Sequence, residues 1–192
     1  MSSRPLRLDA QQNQDRILEI AAELFAAPGA DTTLRGIAKA AGVGVGTVYR
    51  RFATRDDLVE AIYRTETERL SSWAGVLLAE NDPMSAFRAW MAGFVQFMFT
   101  KQGMADALPS ILSAREGLRT HSRAMLREAI QQLRSAAITD GSMRSDVPAD
   151  DIMLGLGGTT LIASHERDTE LAARLIELQL DALRPQNSRT EG

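Results

Sequence analysis

Apolar residues recur along most of this chain at steps of three and four, which is the spacing of one face of an α-helix. The longest run of this kind consists of Met84, Phe87, Met91, Phe94 and Met98. No segment shows the sustained alternation of apolar and polar residues that is typical of a β-strand. The pattern therefore predicts an all-α fold of about nine helices.

Capping and breaking residues divide the apolar pattern into separate helices. Thr33 can cap a helix N-terminus, and Thr54 with Asp57 has a spacing close to that of a capping box. Gly42 marks a tight turn between two short helices. The polar residues 1–12 are expected to form a short arm before the first helix. The predicted helices span about residues 13–27, 33–40, 44–52, 55–80, 83–100, 105–113, 116–138, 150–164 and 169–183.

Composition excludes several classes of functional site. The chain contains no cysteine, which excludes disulfides, iron–sulfur clusters, cysteine-ligated zinc and a thiol nucleophile. Its two histidines, His121 and His165, are far apart in the sequence, so we expect no metal site and no cofactor. No apolar run is long enough for a membrane span or a signal peptide, which favours a cytoplasmic protein without a membrane partner.

Charge is distributed unevenly along the chain. The formal net charge is −3, yet the segment from Thr32 to Arg55 contains five basic residues and no acidic residue. The remainder of the chain is therefore more acidic than the average suggests. A local basic patch on an otherwise acidic protein is typical of a small surface that meets a polyanion such as nucleic acid.

The two short helices around Gly42 have the arrangement of a helix-turn-helix. At about 100° per residue, Val48 and Phe52 of the second of these helices share one face and are expected to enter the core. Gly46 and Arg50 then lie on the opposite face, where the arginine offers a hydrogen-bonding fork to a major groove. The candidate DNA contacts are Thr33, Arg35, Lys39, Val45, Gly46, Thr47, Tyr49, Arg50, Thr54 and Arg55.

These candidates are expected to play different roles in DNA binding. Gly46 has no side chain and would let the helix backbone come close to the DNA. Hydroxyl and cationic groups near helix N-termini suit phosphate oxygens, and the residues expected to hold phosphates are Thr33, Thr54 and Arg55. The residues expected to contact bases or the adjacent backbone are Arg35, Thr47, Tyr49 and Arg50.

The run from Thr33 to Phe52, TLRGIAKAAGVGVGTVYRRF, is followed by RDDL at Arg55–Leu58. Together they resemble the DNA-binding domain of the tetracycline-repressor (TetR) family over roughly residues 13–62. Gly44 departs from the serine or similar cap that most members have there, and glycine also caps, though less well. The resemblance implies a homodimer whose two recognition helices enter successive major grooves of a palindromic double-stranded DNA operator. It also implies a C-terminal domain with a pocket for a small molecule.

We expect an arm and DNA-binding domain over residues 1–56, a helical ligand-binding and dimerisation domain over 57–184, and a flexible tail over 185–192. Seven of the eight methionines lie at or after Met84, and methionine adapts its shape to apolar ligands. For any single apolar residue of this set, a place in the ordinary core is the alternative. The candidate pocket residues are Trp90, Phe94, Phe97, Met98, Met104, Leu108, Arg115, His121, Met125 and Met153.

The last two predicted helices suit a helix–helix interface between two copies of the chain. Three of the four residues from Gly155 to Gly158 are glycine, and each costs about 1 kcal/mol relative to alanine inside a helix. Close approach of another helix would explain them, in an isologous four-helix interface. The alternative is that both helices pack only on their own core. The candidate interface residues are Ile152, Leu156, Thr159, Leu171, Leu175, Leu178 and Ala182.

These observations favour a ligand-responsive, sequence-specific DNA-binding regulator, a repressor that a small apolar effector releases from its operator. Ligand entry would tilt the long helix over residues 55–80 and spoil the spacing of the two recognition helices. The alternatives are a DNA-binding architectural factor without a ligand switch and an all-α enzyme. The enzyme is disfavoured because no nucleophile–base pair, phosphate loop or metal-ligand spacing is found. An activator also stays open, since the sign depends on where the operator lies relative to the promoter.

Overall fold

The computed structural model describes the backbone of residues 4–166 and 168–185, and the side chains of this part except those of residues 4–10, 164 and 165. The described residues form nine α-helices and no strand, which confirms the all-α prediction. Apart from Pro185, the predicted tail lies outside the described residues. The helices are α1 (Arg4–Ala26), α2 (Leu34–Ala40), α3 (Val45–Arg51), α4 (Arg55–Glu80), α5 (Pro83–Gly103), α6 (Leu108–Ala114), α7 (Glu116–Thr139), α8 (Ala149–Glu166) and α9 (Thr169–Leu183).

The first helix is longer than the sequence predicted. α1 begins at Arg4, so the prediction of an arm over residues 1–12 is wrong from residue 4 onward. Its first turns carry only Leu6 and Leu8 as large apolar residues, two positions apart, and hydrophobic periodicity therefore could not detect them. Pro5 stands in the first turn, where the backbone N–H has no helical partner to lose.

Side-chain caps set the starts of α4 and α5. At α4 the cap is reciprocal, as the sequence predicted: Asp57 Oδ2 accepts from the Thr54 N–H at 3.0 Å, and Thr54 Oγ1 accepts from the Asp57 N–H at 3.1 Å. At α5, Asp82 Oδ1 accepts from the Ser85 N–H at 3.0 Å. Each cap satisfies a backbone N–H that the first turn of a helix leaves without a partner.

Within the described residues the chain divides into two compact units. The first comprises the residues up to Glu66 together with Phe99–Arg119, and the second comprises Thr67–Met98 together with the residues from Thr120 onward. This division differs from the boundary expected after residue 56, because α4, α5 and α7 each contribute residues to both units. Sequence periodicity locates helices, but it does not show that a later segment returns to an earlier unit.

In the first unit, the end of α5 packs directly on the backbone of α1. Gly103 lies so close that a Cβ at this position would be 1.8 Å from the Phe25 carbonyl oxygen. Thr100 is buried, and its hydroxyl donates to the Ala22 carbonyl at 3.5 Å. The guanidinium of Arg55 lies over the Phe25 ring, 5.4 Å from its centroid, which is within the range of a cation–π contact.

In the second unit, aromatic side chains of α5 form part of the core. Trp90 is fully buried, and its indole N–H donates to the Leu70 carbonyl at 2.8 Å. The Trp90 and Phe94 ring centroids are 5.7 Å apart, and those of Phe94 and Phe97 are 5.9 Å apart. These distances are typical of aromatic pairs in protein interiors. None of the described helices combines the length and the apolarity needed to cross a bilayer.

We expect Gly103→Ala to destabilise the protein, because the new methyl group would overlap the Phe25 carbonyl oxygen, which is backbone and cannot rotate away. Overpacking of this kind costs about 1–3 kcal/mol, or roughly 2–12 °C in Tm for a chain of this length. The control is Gly117→Ala in α7, where an added Cβ would meet nothing within 4 Å. Thermal unfolding followed by circular dichroism measures both variants. A Gly103→Ala variant as stable as the control would contradict the close contact.

Candidate DNA-binding site

The helix-turn-helix of the first unit consists of α2, the turn at Gly42 and α3. Thr33 caps α2 as the sequence predicted, since its Oγ1 accepts from the Gly36 N–H at 3.0 Å. Gly42 has a φ of 67°, a backbone conformation that glycine adopts without strain. Val48 is fully buried and Phe52 is nearly so, which confirms the inward face predicted for α3.

The face of α3 opposite Val48 is open to solvent. Gly46 and Arg50 are exposed on it, and Thr47 is half-buried on one flank. The Nη2 group of Arg50 donates to Thr47 Oγ1 at 3.1 Å, so the two side chains are joined along the helix. The exposed large apolar side chains of α3 are Val45 and Tyr49.

Further exposed cations lie on α1, α2 and α3 of the same unit. Within the described part of the chain, none of the following exposed residues forms an ion pair: Arg16, Arg35, Lys39, Arg50 and Arg51. Sequence reasoning missed Arg16, because it lies in α1, well before the acid-free segment. The structure places its guanidinium beside the turn, 3.7 Å from the position that a Cβ on Gly42 would occupy. Positive charge at this density suits a phosphate backbone.

Three residues expected to hold phosphates are already engaged within the protein. The Thr33 hydroxyl caps α2, and the Thr54 hydroxyl donates to Asp57 Oδ2 at 2.8 Å. Arg55 Nη1 lies 2.8 Å from Asp106 Oδ2, and the arginine side chain is only 33% exposed. These hydrogen bonds and this ion pair stabilise local structure, and the phosphate contacts expected of the three side chains stay a prediction.

One carboxylate stands at the edge of the basic surface. Asp31 Oδ1 accepts from the Thr33 N–H at 3.0 Å, and hydrogen bonds from the Thr33 hydroxyl and N–H lower the pKa of Asp31. The carboxyl group is therefore ionised at neutral pH. This negative charge beside Thr33 would repel a phosphate group placed close to it.

The residues expected to line a ligand pocket are divided between the two units. All are buried or half-buried except Arg115, which pairs with Glu60, and His121. Because Arg115 and His121 are exposed, they do not supply buried polar groups that could bind a ligand. The pocket itself stays a prediction. The second unit contains Trp90, Phe94, Phe97, Met98, His121, Met125 and Met153, and the first contains Met104, Leu108 and Arg115.

The α8 residues expected at a dimer interface point inward instead. Those buried within the second unit are Ile152, Leu156 and Thr159, and Thr159 Oγ1 accepts a hydrogen bond from Gln179 of α9. On α9, the expected residues are half-buried (Leu171 and Leu175) or exposed (Leu178 and Ala182). Both sides of α8 carry apolar or small residues, so periodicity could not tell the two sides apart. The side predicted to form the interface is the one that faces the core. The outer face of α8 carries Leu154, Gly155, Gly158, Leu161 and Ile162, and its three large residues are each more than half exposed.

Comparison with known proteins identifies the family of this chain. Residues 17–62 match the family described as "Bacterial regulatory proteins, tetR family", and residues 82–185 match "Transcriptional regulator SbtR-like, C-terminal domain". A TetR transcriptional regulator from Streptomyces coelicolor is 40% identical, with 90% of this chain and 99% of that chain covered and a TM-score of 0.82. The chain belongs to the TetR family of transcriptional regulators.

Two further relatives agree with this assignment. A TetR transcription regulatory protein from Mycobacterium vanbaalenii is 32% identical, with 94% of this chain and 100% of that chain covered and a TM-score of 0.74. An HTH-type transcriptional regulator of Staphylococcus aureus is 44% identical over 54 residues, which is 28% of this chain and 29% of that protein's length. As a TetR-family regulator the chain is a DNA-binding transcription factor, and the enzyme alternative is set aside.

In this TetR-family regulator we expect Gly46→Ala to raise the free energy of unfolding while it lowers the affinity for DNA. Alanine is favoured over glycine inside a helix by up to about 1 kcal/mol. The added Cβ would meet only Arg50 Nη1, at 3.7 Å. The same methyl group would stand between the helix backbone and the groove.

The control for this prediction is again Gly117→Ala, an exposed helical glycine outside α3. It is expected to leave DNA affinity unchanged, whatever its effect on stability. Urea unfolding and a titration with DNA selected by the protein measure the two quantities. Equal DNA affinity of Gly46→Ala and the wild type would show that α3 does not approach DNA closely at this residue.

Proposed function

We propose that this chain is a ligand-responsive repressor that binds a palindromic operator as a homodimer in the cytoplasm and leaves it when a small apolar molecule binds. The observation that carries the proposal is the outer face of α3, where the fork of Arg50 lies over Gly46 among exposed cations. That face lies in the segment that matches the tetR family. In a major groove it offers hydrogen-bond donors to base edges and positive charge to the flanking phosphates.

The proposed contacts fall into two groups. Arg50 and Tyr49 contact base edges, and Val45 supplies an apolar surface of the kind that meets a thymine methyl group. Exposed cations of α1, α2 and α3 hold phosphates and fix the register of the protein on the duplex. These cations are Arg16, Arg35, Lys39 and Arg51.

The proposed dimer forms through the outer face of α8 together with α9. Leu161 of α8 and Leu178 of α9 are 62% and 65% exposed, and Leu154 and Ile162 of α8 are also more than half exposed. Clustered exposed apolar side chains are typical of an interaction surface. Gly158 is exposed on α8, and an added Cβ there would meet nothing within 4 Å, which leaves room for a facing helix. A two-fold axis would bury the same face on both copies. The two recognition helices would then read half-sites about 34–36 Å apart, one turn of DNA.

The proposed ligand response uses contacts at the start of α4. Arg55 pairs with Asp106, and Glu60 pairs with both Arg64 and Arg115, so α4 is tied to residues of the 99–119 segment. That segment continues α5, the helix that carries the predicted pocket residues Trp90, Phe94 and Phe97. A ligand that favours another position of α5 would change the preferred position of α4 through these ion pairs. α4 directly follows the helix-turn-helix. Its effect is limited by the difference between its affinities for the two states.

The experiment that tests the proposal is selection of genomic fragments by the purified protein, followed by footprinting of the enriched DNA. We expect a protected palindrome whose half-sites are separated by one helical turn. Its position relative to neighbouring promoters separates a repressor from an activator. A folded protein that enriches no sequence would overturn the proposed operator.

The ligand response is tested on the same complex with a panel of small apolar molecules. Release of the operator by one of them, together with a change in tryptophan fluorescence, supports the switch. A complex that none of them releases would favour a DNA-binding factor without a ligand switch. Fluorescence is informative here because Trp90 is buried within the predicted pocket residues of α5.

We expect the logarithm of operator affinity to fall with the logarithm of salt concentration, with a slope of about −7 to −9. A dimer that neutralises about 8–10 phosphates releases their counterions, which accounts for this slope. Arg51→Ala removes one exposed cation per protomer, and the slope is expected to become shallower by about 2 units. Arg123→Ala, an exposed arginine of α7 in the second unit, is the control. A flat salt response would contradict the electrostatic part of the proposal.

We expect Leu161→Glu to convert the dimer into a monomer, because two carboxylates would be buried at a two-fold interface without partners. Val76→Glu is the matched control, since Val76 is 50% exposed on α4, outside the proposed interface. Analytical ultracentrifugation measures the oligomeric state, and thermal unfolding shows whether both variants fold. A dimeric Leu161→Glu variant or a monomeric Val76→Glu variant would place the interface elsewhere.

A further inference from the structure

The guanidinium of Arg50 does not lie where the position of Arg50 in the sequence suggests. The residue belongs to the last turn of the seven-residue helix α3. Its Nη2 group nevertheless donates to Thr47 Oγ1 at 3.1 Å, and its Nη1 group lies 3.7 Å from the position that a Cβ on Gly46 would occupy. The side chain therefore folds back along the outer face and places its charge over the first turn of the helix.

This placement matters because a recognition helix contacts base edges with its N-terminal residues. An arginine has five N–H donors, and the bond to Thr47 occupies one of them. Donors remain for the bidentate contact with O6 and N7 of guanine, the commonest specific arginine contact in major grooves. An exposed arginine loses rotamer freedom when it binds, and a side chain that is held in advance loses less.

Thr47 and Gly46 have complementary parts in this arrangement. Thr47 is half-buried on the flank of α3 and offers its hydroxyl oxygen as an acceptor toward Arg50. Gly46 leaves the space above the first turn open, and an added Cβ there would stand in van der Waals contact with Nη1 of Arg50, at 3.7 Å. Arg51, the next residue, is exposed but has no such partner among the described residues. Of these two neighbouring arginines, Arg50 is held in one orientation by a hydrogen bond and Arg51 is not.

We propose that Thr47 is a positioning residue for DNA readout: it holds the fork of Arg50 over Gly46, and through that arginine it sets a preference for guanine at one position of each operator half-site. This inference rests on the proposed operator binding. It reassigns Thr47 from a direct DNA contact to a residue that acts through Arg50. Hydrogen bonding, rather than the methyl group of Thr47, carries the effect.

The test selects DNA from a library with a randomised half-site, using the full-length wild type and four variants. Thr47→Val removes the acceptor and keeps the shape of the side chain, and Thr47→Ser keeps the acceptor. Arg50→Ala removes the fork, and Arg51→Ala is the matched control that removes an adjacent arginine without an oriented partner. Thermal unfolding shows that each variant is folded before its base preferences are compared.

For the wild type we expect guanine to be preferred over the other bases at one position by about 5- to 150-fold, the range of a bidentate contact. Arg50→Ala is expected to abolish this preference. Thr47→Val is expected to reduce it by about 2- to 12-fold, the range that one net hydrogen bond spans, and Thr47→Ser is expected to restore it. Arg51→Ala is expected to weaken binding to all sequences by the same factor.

Three results would overturn the inference in distinguishable ways. Equal weakening on every sequence by Thr47→Val would make Thr47 a phosphate contact. Loss of preference at a base pair other than the one that Arg50→Ala affects would show that Thr47 reads a base itself. No enrichment by the folded wild type would overturn the proposed operator binding, and the role of Thr47 with it.

Discussion

The proposed DNA-binding surface depends on the burial of Val48 and Phe52. α3 has only seven residues, and a helix of that length does not form in water by itself, because the cost of nucleation is not recovered. Gly44 adds no side-chain cap to its first turn. The buried valine and phenylalanine therefore supply the stability of α3. The same contacts decide which side of the helix faces solvent, and Arg50 is exposed because it lies opposite Val48.

A second set of contacts joins α1 and α4 to the segment over residues 99–119. The steric contact between Gly103 and the backbone at Phe25 allows no intervening atom. The ion pair between Arg55 and Asp106, by contrast, is partly exposed, and pairs of this kind contribute about 0–1 kcal/mol. In the proposed ligand response, the weak ion pair can change while the steric contact keeps Gly103 against α1.

Sequence periodicity predicted much of this molecule because most helices bury one stripe against a core. It located α2 and α3, and the spacing of Thr54 and Asp57 predicted the cap of α4. Periodicity gave wrong predictions where a helix has no apolar stripe and where a helix has two. The polar start of α1 has no apolar stripe to detect, and the glycine-rich α8 has two candidate stripes, so that Leu156 was taken for an outward residue.

The sequence by itself determined the helical class, the family resemblance and the outward direction of Arg50, because these follow from residue order and helical geometry within one short segment. Only the tertiary structure decided which side chains are free. Arg55 is paired with Asp106, fifty-one positions away, and the guanidinium of Arg16 in α1 lies beside the turn at Gly42. Whether a charge is available to a ligand depends on its neighbours in space, and spacing along the chain does not encode them.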